Sequence, residues 1–281
     1  MTRVAVIGGG RIGEALVAGL VEAGWPIKDL VVAERAAVRA DEIADRFGIR
    51  VTTIADAVEG AHVVVLAVKP NDVDSVLAGV GAVDSDTDTD QLVLSLAAGV
   101  STARIEAQLP AGAPVVRAMP NTPMLVGEGM SVIAAGRHAA ADDLAQARTI
   151  LESVGRVLVL PESSLDAVTA ISGSGPAYFF LVTEALIDGA VTLGIDRATA
   201  STLVTQTLIG SAALLDRSDQ TPNELRAAVT SPAGTTAAAI GELERAGLRA
   251  GLLNAVEAAR KRSAELGRHT EDAPQSARAS H

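Results

Sequence analysis

The sequence predicts a parallel α/β domain followed by an all-helical domain, and three features carry that prediction. The first third alternates short β-branched runs with segments of helical period, the pattern of a doubly wound sheet. Beyond Pro161 the alternation stops, and long Ala/Leu-rich stretches take over. A glycine run near the N-terminus stands where the first strand must turn into the first helix.

Taken in order, Val4-Ala5-Val6-Ile7 is a strand, and Gly8-Gly9-Gly10-Arg11-Ile12-Gly13 follows it. A helix is expected over 11–23, a strand over 30–33, a helix over 37–47, and strands over 51–53 and 63–68. The acidic run from Asp84 to Asp90 reads as a solvated loop. Strand character resumes over 92–96, 115–119 and 130–134, with Pro120 and Pro123 fixing a sharp bend between the last two. Helices are expected over 177–193, 198–216, 225–229, 236–246 and 251–265. The domains expected are 1–160, a helical domain over 161–266, and a loose polar tail over 267–281.

Composition narrows the function. At 281 residues and 48% hydrophobic content the chain fills two cores, yet aromatics are only 2%. Stacking platforms for single-stranded nucleic acid are therefore missing, and a formal charge of -11 repels phosphate backbones. With no Cys, thiolate zinc sites and a Cys nucleophile are excluded, and no metal is expected. The apolar run Val63 to Val68 stops at Lys69, short of the ~18 residues that span a bilayer, and the start lacks the form of a secretory signal. The expectation is a soluble, cytoplasmic protein with no membrane or nucleic-acid partner.

Gly8-Gly9-Gly10-Arg11-Ile12-Gly13 fits G-x-G-x-x-G, follows a strand and opens a helix, as a dinucleotide loop of the Rossmann type requires. At the end of strand two, Glu34 would accept from a free 2′-hydroxyl and favour NAD, whereas Arg35 would pair with a 2′-phosphate and favour NADP. The balance leans to NADPH, with NADH the alternative. Lys69 stands at a strand end, where ligands bind in open α/β sheets, and Ala97-Ala98-Gly99 offers close approach after the next strand.

In the helical half, Val229-Thr230-Ser231-Pro232-Ala233-Gly234-Thr235-Thr236 puts hydroxyls, a Pro and a Gly where a bundle would want apolar side chains. Pro232 fits the first turn of a helix, Gly234 allows close backbone approach, and free N–H groups there hold a small anion such as a carboxylate. Ile171-Ser172-Gly173-Ser174-Gly175-Pro176-Ala177-Tyr178 repeats the device before another helix. The histidines at 62, 138, 269 and 281 lie outside every motif.

Ala67-Val68-Lys69-Pro70, Ala97-Ala98-Gly99-Val100, Arg117-Ala118-Met119-Pro120-Asn121-Thr122-Pro123, Ser172 to Tyr178 and Val229 to Thr236 resemble, in order, the motifs of the Δ1-pyrroline-5-carboxylate reductase family. Leu225 to Glu244 is the most specific stretch. The resemblance implies NADPH- or NADH-dependent reduction of the cyclic imine pyrroline-5-carboxylate to L-proline, the last step of proline biosynthesis. It also implies a homodimer assembled into a larger homo-oligomer through the helical dimerisation domain. Ile7, Gly8, Gly9, Gly10, Arg11, Ile12, Arg35, Ala67, Val68, Lys69, Pro70, Leu96, Ala97 and Ala98 would form the cofactor cradle. Ser231, Thr235 and Thr236 would contact the substrate carboxylate and imine, with Thr236 the catalytic residue and Glu162 near the ring nitrogen. Ala228 and Ile54 replace polar residues that some relatives use on the cofactor.

The chemistry needs neither His nor metal, because a protonated imine accepts hydride once the reacting carbons are aligned within ~3–3.5 Å. A β-hydroxyacid-type dehydrogenase is one alternative, but it would use a helix Lys of its second domain as general acid. The only Lys there is Lys261, outside the motifs. A non-catalytic NADP-binding protein is another, and it would not require Ser231 and Thr236.

Overall fold

Short valine-rich runs pair side by side because each is apolar on both faces. The structure is a computed structural model describing residues 2–81 and 91–271. The acidic run at 84–90 and the end of the expected tail, 272–281, lie outside the described residues. In chain order the first part contains β1 (Val4–Ile7), α1 (Arg11–Glu22), β2 (Leu30–Ala33), α2 (Ala37–Phe47), β3 (Arg50–Thr52), α3 (Ile54–Val58), β4 (Val63–Leu66) and α4 (Val73–Val80). It continues with β5 (Leu92–Ser95), α5 (Thr102–Glu106), β6 (Val115–Met119), β7 (Gly129–Ala135), α6 (Ala141–Leu151), β8 (Gly155–Val159) and α7 (Leu165–Val168).

These strands form one sheet in the order β3-β2-β1-β4-β5-β6-β7-β8. Alternation of side chains sends Val4 and Val6 into one core with Val63 and Val65, and Ala5 and Ile7 into the other with Val64 and Leu66. All of these are essentially fully buried, and each such Val, Leu or Ile contributes about 1.5–3 kcal/mol. The sheet is parallel through β6, but β6 and β7 pair antiparallel and β8 then runs parallel to β7. The bend expected at Pro120 and Pro123 is a 3₁₀ turn at Thr122–Val126 that reverses the chain without a crossover helix. The sequence reading had no strand at β8, no helix at α4 or α6, and no reversal of strand direction.

The second part is helical, with α8 (Gly175–Thr192), α9 (Arg197–Arg217), α10 (Pro222–Ala228), α11 (Thr235–Arg245) and α12 (Leu248–Glu271). By contacts the chain divides into Gly175–Ala258 and a unit made of residues 1–174 together with those from 259 onward. Helix α12 thus starts in one unit and ends in the other. It also runs past Gly267, where a loose tail was expected, because its last turns dock in the first unit. The helix containing α8, and α9, are long and apolar enough to cross a membrane by length and composition alone. Phe179, Phe180, Leu186, Leu203 and Ile209 are all exposed in the single chain.

Candidate active site

Strand β1 ends in a loop whose glycines do different work. Gly8 has φ +105°, and a Cβ there would lie 2.8 Å from the Ala67 carbonyl oxygen, so the turn admits no side chain. At Gly13 a Cβ would fall 2.0 Å from the Gly8 carbonyl oxygen, which lets α1 press against the loop. Gly10, by contrast, faces open space and is the N-cap of α1. This leaves room at a helix N-terminus for a pyrophosphate to approach the backbone. The loop opens onto a cleft of about 720 Å³ between the C-terminal ends of β1, β2, β3 and β4. The residues present fit a dinucleotide.

Among the expected cofactor residues, Ile7, Gly8, Gly10, Arg35, Ala67, Val68 and Lys69 line this cleft. Gly9 is turned to the loop's own support, its N–H donating to Glu34 Oε2 at 2.9 Å while its carbonyl accepts from Arg39 Nε at 2.7 Å. Arg11 is exposed at the start of α1, and Ile12 packs on the core. Pro70 heads a 3₁₀ turn. Leu96 and Ala97 are buried and Ala98 is exposed, all three beyond the end of β5. The cleft also takes in Thr52, Thr53, Ile54, Asp72 and Ser75. Thr52 and Thr53 were missed, although the rule that ligands bind at strand C-termini points to the end of β3 as well.

The conflict between Glu34 and Arg35 takes a definite form. Both carboxylate oxygens of Glu34 accept main-chain hydrogen bonds, one from Gly9 and the other from Ala36 N–H at 2.8 Å. Arg35 is 88% exposed, and its contact with Asp72 is long, at 3.9 Å. Such a pair contributes little, so the guanidinium can turn toward another anion.

Glu162 lies in the 3₁₀ turn after β8, and its carboxylate is already well occupied. It accepts from the Thr102 N–H at 2.9 Å, from the Thr102 hydroxyl at 2.6 Å and from Arg117 Nη1 at 3.0 Å. Arg117 sits on β6 with a side chain only 10% exposed. Burial pushes the Glu162 carboxyl up, but the Thr102 hydroxyl and amide, together with Arg117, hold it below the usual value. The residue expected near a ring nitrogen therefore also ties the loop after β5 to the chain after β8.

In the helical unit, Ser231, Thr235 and Thr236 come together at one turn. Helix α10 is fixed by a capping box in which Thr221 Oγ1 accepts from Glu224 N–H and Glu224 accepts from Thr221 N–H. The chain leaves it, and Gly234 N–H donates to the Ser231 carbonyl at 3.0 Å. Pro232 and Ala233 are the central residues of that turn, with Ala233 in the left-handed region at φ 59°. Pro232 thus belongs to the turn and not, as expected, to a first helical turn. Helix α11 begins at Thr235 with Gly234 as its N-cap and no side-chain cap, so the first-turn N–H groups point outward. Thr236 is half-buried, and Ser231 and Thr235 are exposed.

The run from Ile171 to Tyr178 does not repeat this arrangement. Thr169–Gly173 is a π-helical turn continuous with α8, and Ser174 N–H donates back to the Thr169 carbonyl at 2.8 Å. The wider turn consumes N–H groups that a helix start would leave free. Asn121 clamps it, donating to the Ser172 carbonyl at 3.0 Å while accepting from Met130 N–H at 2.8 Å. Among the described residues no acidic or histidine cluster could hold a metal ion.

Two family models match the chain. One, described as Pyrroline-5-carboxylate reductase dimerisation, covers residues 162–266. The other, described as NADP oxidoreductase coenzyme F420-dependent, covers residues 3–99. A pyrroline-5-carboxylate reductase of Mycobacterium leprae is 50% identical, covering 95% of this chain and 97% of that protein. The solved pyrroline-5-carboxylate reductase of Coxiella burnetii superposes with a TM-score of 0.89 at 37% identity, over 94% of this chain and 98% of that one. The pyrroline carboxylate reductase of Plasmodium falciparum, solved with NADP bound, gives a TM-score of 0.83 at 29% identity over 95% of this chain and 98% of that one.

Proposed function

The chain belongs to the pyrroline-5-carboxylate reductase family, and on that premise we propose how its own residues divide the work. The reaction is the NAD(P)H-dependent reduction of a cyclic imine to proline. The enzyme has a Rossmann-type cofactor domain, a dimerisation domain and a small-molecule substrate, and forms a homo-oligomer.

The uncapped start of α11 carries the assignment. The outward N–H groups of Thr235 and Thr236, with the Ser231 hydroxyl beside them, form an anion site matched to the substrate carboxylate. The Thr236 hydroxyl accepts from the N–H of the protonated imine, holding the charge on nitrogen and leaving the carbon electrophilic. The nicotinamide cofactor supplies the hydride. Ile7, Gly8, Gly10, Ala67, Val68 and Lys69 bind it along the ends of β1 and β4, and the substrate carboxylate fixes which face of the ring is presented. Glu162 acts through Thr102, holding the loop that contains Leu96, Ala97 and Ala98.

NADPH is the proposed physiological cofactor, because Arg35 is exposed at the cleft while Glu34 is engaged by main-chain N–H groups. A cytoplasmic enzyme and an assembly larger than a dimer complete the proposal. Oxidation of NADPH and NADH followed with pyrroline-5-carboxylate, with the short carbonyl acids that are the oxidised partners of β-hydroxyacids, and without substrate tests it. Turnover confined to the imine is expected, whereas turnover of the carbonyl acids alone would overturn the assignment.

A further inference from the structure

The end of helix α12 returns to the first unit at the loop that follows β5. Ser263 is a buried polar residue, 8% exposed, and its hydroxyl donates to Asp166 Oδ1 at 2.7 Å. Asp166 lies on α7, four residues after Glu162, so the element that receives α12 directly follows the 3₁₀ turn that grips Thr102. One turn further along α12, Gly267 lies against Gly99. A Cβ on Gly99 would be 3.7 Å from the Gly267 nitrogen, and one on Gly267 would be 3.7 Å from the Gly99 carbonyl oxygen. Gly99 has φ +74°, a conformation costly for a side-chain-bearing residue, so the loop is shaped to present bare backbone to the helix.

The loop from Leu96 to Ser101 is therefore held at its C-terminal end by Glu162 through Thr102 and in its middle by α12 at Gly99. Its position matters because of strand order. The glycine loop, Glu34 and Arg35 are on the β1, β2 and β3 side of the sheet, where the adenosine half belongs. A dinucleotide lying across the switch between β1 and β4 brings its nicotinamide half toward the end of β5.

We propose that Ser263 and Gly267 are positioning residues for the reacting half of the cofactor, with the last turns of α12 bracing the 96–101 loop. This rests on the reading of Leu96, Ala97 and Ala98 as cofactor contacts. Residues at the cofactor's adenosine end are untouched by the brace, so the two halves of the ligand respond differently to its loss.

Calorimetric titration of the full-length protein with NADP+ and, separately, with adenosine 2′,5′-bisphosphate makes the distinction. In Ser263→Ala, affinity for NADP+ falls about two- to tenfold, the effect of one hydrogen bond, while affinity for the bisphosphate stays within twofold. Ser263→Thr, which keeps the hydroxyl, restores NADP+ binding. Gly267→Leu, whose Cβ meets the Gly99 carbonyl at ordinary contact but whose further carbons must find room beside the loop, gives a selective loss as well, and Ser263→Ala decides alone if that variant does not fold. Equal loss for both ligands, or no loss for either, overturns the proposal. Wild-type protein that gains nothing from the nicotinamide half over the bisphosphate, with Ser263→Ala unchanged, overturns the cofactor reading as well.

Discussion

Glu162 holds Thr102 twice, by its amide at 2.9 Å and by its hydroxyl at 2.6 Å. That pairing, with Arg117 behind it, depresses the carboxyl's pKa in the folded state. A depressed folded value adds stability above the unfolded value near 4.5 and loses it as pH falls from there through the folded value. Thermal unfolding of wild type should therefore fall more steeply below pH about 4.5 than that of Glu162→Gln, which has no carboxylate to protonate. Parallel curves for the two proteins would show that Glu162 is not linked to folding. Glu162→Ala should cost on the order of 3 kcal/mol, because it leaves the Arg117 charge buried without its partner.

Thr236→Ala should impair turnover more than cofactor binding, since its hydroxyl serves the imine. Loss of one positioned hydrogen bond is worth about 1–3 kcal/mol, or roughly tenfold to a hundredfold in kcat/KM for pyrroline-5-carboxylate, with the Kd for NADPH unchanged. Wild-type kcat/KM in the variant would remove Thr236 from the site.

Arg35→Ala should raise the KM for NADPH about tenfold or more and leave that for NADH nearly unchanged, because only NADPH carries the 2′-phosphate. Glu34→Gln keeps an acceptor for one main-chain N–H but removes the negative charge, so it should move preference toward NADPH. If both variants keep the wild-type ratio of the two cofactors in steady-state assays, these residues are surface charges only.

Ala233 occupies a turn position with φ 59° that glycine adopts without penalty. Ala233→Gly should therefore raise stability by about 0.5–1 kcal/mol, the strain of the left-handed conformation less the extra freedom glycine has when unfolded. Urea unfolding at fixed protein concentration measures it, and a lower midpoint would mean that the turn is not strained.

Leu186 is exposed on α8 within the dimerisation region. With the exposed apolar face of α8 taken as the proposed subunit interface, Leu186→Glu puts an unpaired carboxylate there, so the oligomer should dissociate or the chain unfold, and activity should fall with it. Sedimentation combined with assays across dilution gives the answer. A stable Leu186→Glu monomer with full specific activity would show that neither this interface nor a second subunit is needed.

Local signals in the sequence were enough to place every strand but β8, and the helices α1, α2 and α8 to α12, while the short or weakly patterned α3 to α7 went unread. Val4 to Ile7 and Val63 to Leu66 are apolar on both faces, and only a covered parallel strand tolerates that. The glycine loop was equally legible because its spacing has one structural meaning between a strand and a helix. What stayed hidden depends on residues distant in sequence. Glu34 meets Gly9 only once β1 and β2 pair in register, and Thr102 meets Glu162 only after the sheet has reversed at β7. The π-helical turn at Thr169–Gly173 was hidden for another reason, since the side chains that suit it also suit an α-helix or a loop. The docking of Ser263 and Gly267 went unread because the helix expected over 251–265 says nothing of what its end packs against.

The first unit is not one continuous piece of chain, because its last part, from Ala259, is separated from Ser174 by the whole helical unit. Synthesis runs from the N-terminus, and domains generally fold as they emerge. The sheet can therefore assemble on the ribosome, but the segment that closes against Gly99 leaves the exit tunnel only after the whole helical unit. A nascent chain then binds the adenosine end of its cofactor while the support of the reacting half is still to emerge.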